Sequence, residues 1–167
     1  MTVVLIGPPG SGKTRLGKRV AKSLGLPFVD TDKLVVAGHG AIAKIFEEHG
    51  ESHFRALERE AVIEALTQDA VVSLGGGAIL DAETQRDLAG RRVALITVSA
   101  DAVASRIAGS KRPLVTGIES WTALVEARRE TYERLADRTW DTSFRPLAPI
   151  AREIAAWAGS DPKDQQS

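Results

Sequence analysis

Residues 7–14 carry the strongest chemical signal in the chain, with the sequence Gly-Pro-Pro-Gly-Ser-Gly-Lys-Thr. This segment, called the phosphate loop below, fits the pattern G-x-x-x-x-G-K-[ST], in which backbone N–H groups surround a phosphate chain. Lys13 can reach the β- and γ-phosphates, and the Thr14 hydroxyl can be a ligand of Mg²⁺. An apolar run precedes the loop and a helical pattern follows it. A chance match by a Gly-Pro turn is the alternative, but the flanking pattern predicts a nucleoside triphosphate site.

Two carboxylates follow the second predicted strand, in Asp30-Thr31-Asp32. At spacing i and i+2 on a strand they would point to one face, close to the phosphate loop. One of them can hold a magnesium-bound water, while the other accepts the proton of an attacking hydroxyl. A turn or capping role is the alternative explanation.

A glycine triplet, Gly75-Gly76-Gly77, closes the apolar run that ends in Ser73 and Leu74. Ser73 stands where many P-loop enzymes keep an aspartate. Glycines let the backbone approach a ligand closely and offer it their N–H groups. The alternative is a flexible turn.

Three arginines are placed where they could bind an anion. Arg55 lies near the start of a predicted helix, with Glu58 one turn further on to orient it. Arg112 lies in an irregular segment, and Arg128 lies on the helix beyond it. Arginine guanidinium groups suit carboxylates and phosphates, although each alone could be a solvated surface group.

Alternating strands and helices must position these residues. We predict strands over residues 2–6, 28–30, 71–74, 93–98 and 140–142. Helices are predicted over 13–24, 41–48, 52–66, 81–88, 101–107, 120–136 and 150–157. This order predicts an α/β three-layer domain over 1–158, with a short parallel sheet and ligands at the carboxyl ends of its strands. We also expect a substrate-binding insert at about 33–60, a lid at about 108–118 and a flexible tail over 159–167.

Composition narrows the classes of partner. Lys+Arg and Asp+Glu both number 22, so no basic surplus indicates a nucleic-acid partner. No apolar run approaches the ~20 residues of a membrane span, and the first one is too short for an export signal. Because cysteine is absent, thiolate chemistry is excluded. We therefore expect a cytoplasmic protein. We also expect a monomer, although composition does not determine the oligomeric state.

Taken in order, the motifs resemble those of shikimate kinases, small P-loop kinases of the nucleoside-monophosphate-kinase-like group. The resemblance covers about residues 3–142. The matching segments are Gly12-Lys13-Thr14, Asp30-Thr31-Asp32, Ile45-Phe46, Gly50-Glu51-Ser52-His53-Phe54-Arg55, Leu74-Gly75-Gly76-Gly77, Arg112-Pro113-Leu114, and Arg128 four residues before Tyr132.

The resemblance implies transfer of the γ-phosphoryl group of ATP to the 3-hydroxyl of shikimate, with Mg²⁺. The implied acceptor-binding residues are Asp32, Arg55, Gly76, Gly77 and Arg128. The implied ATP contacts are Gly10, Ser11, Gly12, Lys13, Thr14, Arg106, Arg112 and Arg145. Thr14 and Asp30 would belong to the metal shell. Lys13, Asp32 and Arg112 would act in catalysis, while Arg106 and Arg145 would lie beside the adenine.

Some segments depart from the family pattern. Val36 stands where the family often has an acid, residues 37–40 are about one residue short, and the segment before Arg112 is shortened. Pro146 and Pro149 are also unusually arranged. These departures concern acceptor closure and adenine contact. The rival hypotheses are a gluconate- or nucleotide-type kinase on the same fold, and a protein that binds ATP as a regulatory ligand without transferring phosphate.

Overall fold

A parallel sheet lies at the centre of the computed structural model, which describes residues 1–108 and 117–161. Its strands are β1 (Val3–Ile6), β2 (Phe28–Asp30), β3 (Val71–Ser73), β4 (Arg92–Thr97) and β5 (Arg138–Asp141). They are arranged in the order β2-β3-β1-β4-β5, and each neighbouring pair is parallel. All carboxyl ends therefore meet at one edge, where the predicted site residues follow β1, β2 and β3.

Helices cover both faces of the sheet. They are α1 (Lys13–Leu24), α2 (Thr31–His39), α3 (Ile42–His49), α4 (Glu51–Leu66), α5 (Ala82–Leu88), α6 (Ala100–Ala108), α7 (Ile118–Leu135) and α8 (Leu147–Gly159). A short 3₁₀ turn spans Ala78–Leu80. The predicted three-layer α/β fold is confirmed.

The central strand β1 shows why its residues are apolar without alternation. Val3 and Leu5 belong to one core cluster with residues of α1 and α8, such as Leu16 and Ile150. Val4 and Ile6 belong to a second cluster, on the opposite face, with residues of α4, α5 and α7. A strand covered on both faces buries every side chain, and all four residues of β1 are buried.

Helices α2, α3 and α4 span the region in which a substrate-binding insert is predicted, and they pack around Val35, Ile45, Phe54 and Ala61. The sequence analysis missed α2, since the two valines and the glycine of 35–38 are weak helix formers. The helix forms because Asp30 caps its first turn and Val35 is buried on its inner side.

Several predicted boundaries need correction. Helix α7 begins at Ile118, with Gly117 and not Ser120 as its N-cap residue. Helix α8 extends to Gly159, and Arg92 donates to the carbonyls of Trp157 and Ser160, so the beginning of the predicted tail is ordered. Ala108 ends α6, which leaves residues 109–116 of the predicted lid, including Arg112, outside the described residues. None of the helices within 1–108 and 117–161 is long and apolar enough to cross a membrane.

Candidate active site

The phosphate loop joins the end of β1 to the start of α1, as the motif predicts. Gly7 has a φ of 148°, and a Cβ atom there would lie 2.2 Å from the Ile96 carbonyl oxygen, so a side chain cannot be accommodated. Gly12 is the N-cap of α1 and is left-handed, with a φ of 91°. The positive end of the α1 dipole therefore faces the concave side of the loop, where an anion is stabilised.

The Lys13 side chain turns back over this loop. Its ammonium donates to the carbonyls of Gly7 (2.8 Å) and Pro8 (3.1 Å). A cation at this point can bind a phosphate chain that enters the loop.

The outer side of the loop is tied to three separate elements. Side-chain donors bind three consecutive loop carbonyls: Trp121 Nε1 binds Pro9 (2.8 Å), Arg106 binds Gly10 (2.8 Å) and the Thr142 hydroxyl binds Ser11 (2.7 Å). Since the peptide bonds are trans, the N–H groups of Gly10 and Gly12 point away from the donors that hold the preceding carbonyls. The bonds thus leave these two N–H groups turned to the inside of the loop.

The two aspartates lie beside the loop, but not in the way that the strand pattern predicted. Asp30 ends β2 and caps α2: its Oδ1 accepts from the N–H groups of Asp32 (2.9 Å) and Lys33 (3.3 Å). Its Oδ2 accepts from the Thr14 hydroxyl at 3.1 Å. Asp32 lies in the first helical turn, so the same-face strand argument was wrong, although both carboxylates adjoin the site.

Thr31, between the two aspartates, connects α2 to the end of β3. Its side chain is fully buried, accepts from the Gly75 N–H (3.1 Å) and donates to the Ser73 carbonyl (3.4 Å). The middle residue of the Asp-Thr-Asp motif thereby fixes the glycine triplet next to the aspartates.

Charged side chains from three helices converge on the glycine triplet. A Cβ atom on Gly75 would lie 2.6 Å from Asp32 Oδ1, and one on Gly77 would lie 2.6 Å from an Arg55 guanidinium nitrogen. A Cβ atom on Gly76 would lie 3.5 Å from Arg128 and 3.3 Å from Pro9 of the phosphate loop. A side chain at Gly75 or Gly77 would therefore collide with a charged group, and the close packing around the triplet brings Asp32, Arg55 and Arg128 to one place.

Arg55 is oriented by Glu58, as expected from their spacing. The guanidinium donates to Glu58 Oε1 at 2.8 Å, and the Glu58 side chain is almost fully buried. Burial raises the pKa of Glu58, while the hydrogen bond from Arg55 and its charge act in the opposite direction. The pair holds the remaining guanidinium N–H groups toward the triplet.

Burial and neighbouring charges shift the pKa of Asp32. Burial raises its pKa above the ordinary value of 3.8, and the neighbouring Asp30 raises it further. The charges of Lys13 and Arg55 oppose this shift. A carboxylate whose pKa is raised holds a transferred proton more readily than an exposed aspartate would.

Comparison with known proteins shows the family of the chain. The model of the family described as shikimate kinase matches residues 9–158. The chain belongs to the shikimate kinase family. A shikimate kinase of Streptomyces coelicolor is 45% identical to it over 148 residues, which cover 86% of each chain.

Solved structures agree with this assignment. The shikimate kinase of Acinetobacter baumannii in complex with shikimate has a TM-score of 0.88 and 28% identity, covering 99% of this chain and 95% of that one. The Aquifex aeolicus shikimate kinase has a TM-score of 0.80 and 32% identity, with coverage of 93% and 95%.

Within this shikimate kinase fold, the two residues expected at the adenine contact other side chains and backbone groups of the protein. Arg106 binds the outside of the phosphate loop and also donates to the Thr142 carbonyl at 2.6 Å. Arg145 forms an exposed ion pair with Glu153 of α8. Neither contact tests a role at the nucleotide base.

Two oxygen-bearing side chains beside the loop are suitable ligands for a magnesium ion. The Thr14 hydroxyl and the Asp30 carboxylate meet at 3.1 Å, and both are the hard oxygen ligands that Mg²⁺ prefers. Across the described part of the chain, no group of three or more His, Cys, Asp and Glu side chains could hold a metal ion alone. A cation at Thr14 and Asp30 would therefore take its other ligands from the nucleotide and from water.

The sequence analysis did not assign several residues that hold the site together. Besides Thr31, these are Trp121, Tyr132 and Thr142; the Tyr132 hydroxyl donates to the Gly76 carbonyl at 2.6 Å. Helical spacing was the available signal for two of them, because Trp121 and Tyr132 lie seven residues before and four after Arg128.

Proposed function

We propose that this chain transfers the γ-phosphoryl group of ATP to the 3-hydroxyl group of shikimate, giving ADP and shikimate 3-phosphate. One observation carries the proposal: Asp32, Arg55 and Arg128 converge on a glycine triplet that touches the phosphate loop. Membership of the shikimate kinase family supports it, and the A. baumannii member is a complex with shikimate.

The acceptor groups suit a small carboxylated alcohol. In the proposed complex, Arg55 and Arg128 bind the shikimate carboxylate, since guanidinium groups form paired, charge-assisted hydrogen bonds with carboxylates. The backbone of Gly76 and Gly77 contacts the ring hydroxyls. Glu58 keeps Arg55 in place through its 2.8 Å bond.

The reacting groups are proposed to lie between the triplet and the loop. Asp32 binds the acceptor hydroxyl and accepts its proton as the O–P bond forms. Lys13 stabilises the charge that develops on the phosphate oxygens. The loop N–H groups hold the phosphates, as Gly10, Ser11 and Gly12 were expected to do.

Two further sets of contacts are proposed. Thr14 and Asp30 hold a magnesium ion, which when bound neutralises phosphate charge. Arg112 approaches the transferring phosphoryl group, and Arg106 and Arg145 contact the adenine side; these roles rest on the family resemblance.

Asp30→Asn should raise the magnesium concentration needed for half-maximal rate while keeping the α2 cap, since asparagine caps helices well.

An acceptor panel tests the proposed reaction. ADP release is measured in a coupled assay with shikimate, gluconate or AMP, with and without magnesium. We expect release that depends on shikimate and on magnesium. Turnover with gluconate or AMP and none with shikimate would favour a related kinase, while nucleotide binding without turnover on any acceptor would favour a regulatory ATP-binding protein.

A further inference from the structure

Trp121 lies in the first turn of α7 and contacts the phosphate loop directly. Its indole N–H donates to the Pro9 carbonyl at 2.8 Å, and its side chain is 3% exposed. It packs with Val98, Ala102 and Val103 in a small apolar cluster between α6, α7 and the end of β4. Packing could explain the ring, but the hydrogen bond gives the indole nitrogen a specific partner in the loop.

The Pro9 carbonyl lies where the phosphate loop meets the glycine triplet. Pro9 Cδ would be 3.3 Å from a Cβ atom on Gly76, so the segment that Trp121 holds touches the glycine triplet. The Pro9 carbonyl belongs to the same peptide unit as the Gly10 N–H. Fixing this oxygen outward therefore fixes the N–H group inward.

The same face of α7 also carries groups of the proposed acceptor side, the name used here for Asp32, Arg55, Arg128 and the glycine triplet. Arg128 lies seven residues after Trp121, and Tyr132 lies eleven residues after Trp121. All three therefore lie on one face of the helix. Tyr132 binds the Gly76 carbonyl, and Arg128 approaches Gly76. One rigid helix thus contacts the phosphate loop through Trp121 and the triplet through Arg128 and Tyr132.

We infer that Trp121 is a positioning residue for phosphoryl transfer. Its hydrogen bond to Pro9 fixes the phosphate loop to α7, and thereby sets the position of the bound phosphates relative to the acceptor groups on that helix. The inference rests on the proposed function, because it assigns Trp121 a task in that reaction.

The test compares Trp121→Phe with Trp140→Phe. Both substitutions shorten a buried tryptophan and remove an indole N–H, but the Trp140 ring packs against Trp157 in the core cluster on one face of the sheet. At a temperature where both variants are folded, Trp121→Phe should weaken ADP binding by about three- to tenfold and lower kcat by a similar factor, the effect of one lost hydrogen bond. Its shikimate Kd should change by less than about twofold, and Trp140→Phe should keep all three constants near wild type.

Equal constants in the two variants would show that Trp121 only packs, and would overturn the inference. A wild-type protein that neither binds ADP nor phosphorylates shikimate would instead overturn the proposed function.

A measurement on the wild-type protein covers the case in which Trp121→Phe does not fold. With ¹⁵N-labelled tryptophan, Trp140→Phe and Trp157→Phe assign two indole signals and leave the third to Trp121. Addition of ADP should shift the Trp121 signal more than the Trp140 signal. An unmoved Trp121 signal at saturating ADP would contradict the inference.

Discussion

The phosphate loop and the acceptor side meet at Gly76 but are built differently. The loop consists of eight consecutive residues and offers backbone groups, the α1 dipole and a single lysine. The proposed acceptor side consists of charged side chains from α2, α4 and α7, which the chain brings together around three glycines. A phosphate site can thus be encoded locally, whereas recognition of a particular acceptor requires the tertiary fold.

The two regions also differ in their electrostatic cost. Backbone dipoles in the loop bring no ionised group into the interior. On the acceptor side, Asp32 and Glu58 are buried enough that burial is the main cause of their raised pKa values. Keeping these two carboxylates buried should therefore reduce folding stability at pH values at which they are ionised, a cost that the backbone dipoles of the loop do not carry.

The largest expected effect separates acceptor chemistry from nucleotide binding. Asp32→Asn should lower kcat by about 10²–10⁴, since the amide cannot accept the hydroxyl proton. ADP affinity, measured by calorimetry, should remain within a few-fold of wild type. A rate within tenfold of wild type would exclude Asp32 as the general base.

Removal of the loop cation should have the next largest effect. Lys13→Ala should lower kcat by about 10²–10³, since it removes charge stabilisation in the transition state. Lys18→Ala, an exposed lysine on the same helix, is the matched control and should have a normal rate. Equal rates in the two variants would mean that Lys13 does not act on the phosphates.

The triplet can be tested one methyl group at a time. Gly77→Ala places a Cβ atom 2.6 Å from Arg55 and must displace its flexible guanidinium, so the shikimate KM should rise by about 10–100-fold, the effect of a weakened charge-assisted bond. Thermal stability and ADP affinity should change little. Gly38→Ala, which meets no atom within 4 Å, is the control. An unchanged shikimate KM in Gly77→Ala would argue against Arg55 as an acceptor ligand.

The smallest expected effect concerns stability. The pKa of Asp32 is raised in the folded state. The contribution of Asp32 to the free energy of unfolding is therefore fully present below its unfolded-state pKa near 3.8, and it is lost as pH rises through the folded-state pKa. Asp32→Asn should therefore unfold at a higher temperature than wild type at pH 7, and the difference should disappear near pH 3.5. A gain of about 1 kcal/mol corresponds to about 2–4 °C in a chain of this size. A lower Tm for Asp32→Asn at pH 7 would contradict the assigned cost.

The difference between the two regions also explains what could be predicted from sequence. The loop, its strand and α1 follow from a contiguous pattern, and α1 begins and ends at the predicted residues. The acceptor residues could be proposed from family resemblance, but their convergence depends on the sheet order. Asp30 and Asp32 were correctly placed near the loop for a wrong reason, because the Asp30 cap starts a helix where a strand was expected to continue.

For other residues the sequence could at most indicate the position, and not the hydrogen-bond partner. The bonds from Trp121 and Thr142 to the loop join residues 112 and 131 positions apart, and no local pattern encodes such pairs. Thr31 was part of a recognised motif, yet its buried bonds to Ser73 and Gly75 depend on the pairing of β2 with β3.

Direct observation of the transferred phosphate tests the central claim. Equimolar ATP and shikimate are incubated with magnesium and the protein, and the products are followed by ³¹P NMR. The proposed function predicts that the γ-phosphate signal is replaced by one phosphate monoester signal, with ADP and shikimate 3-phosphate formed in equal amounts. Release of inorganic phosphate with shikimate unchanged, or ATP that stays intact, would contradict it.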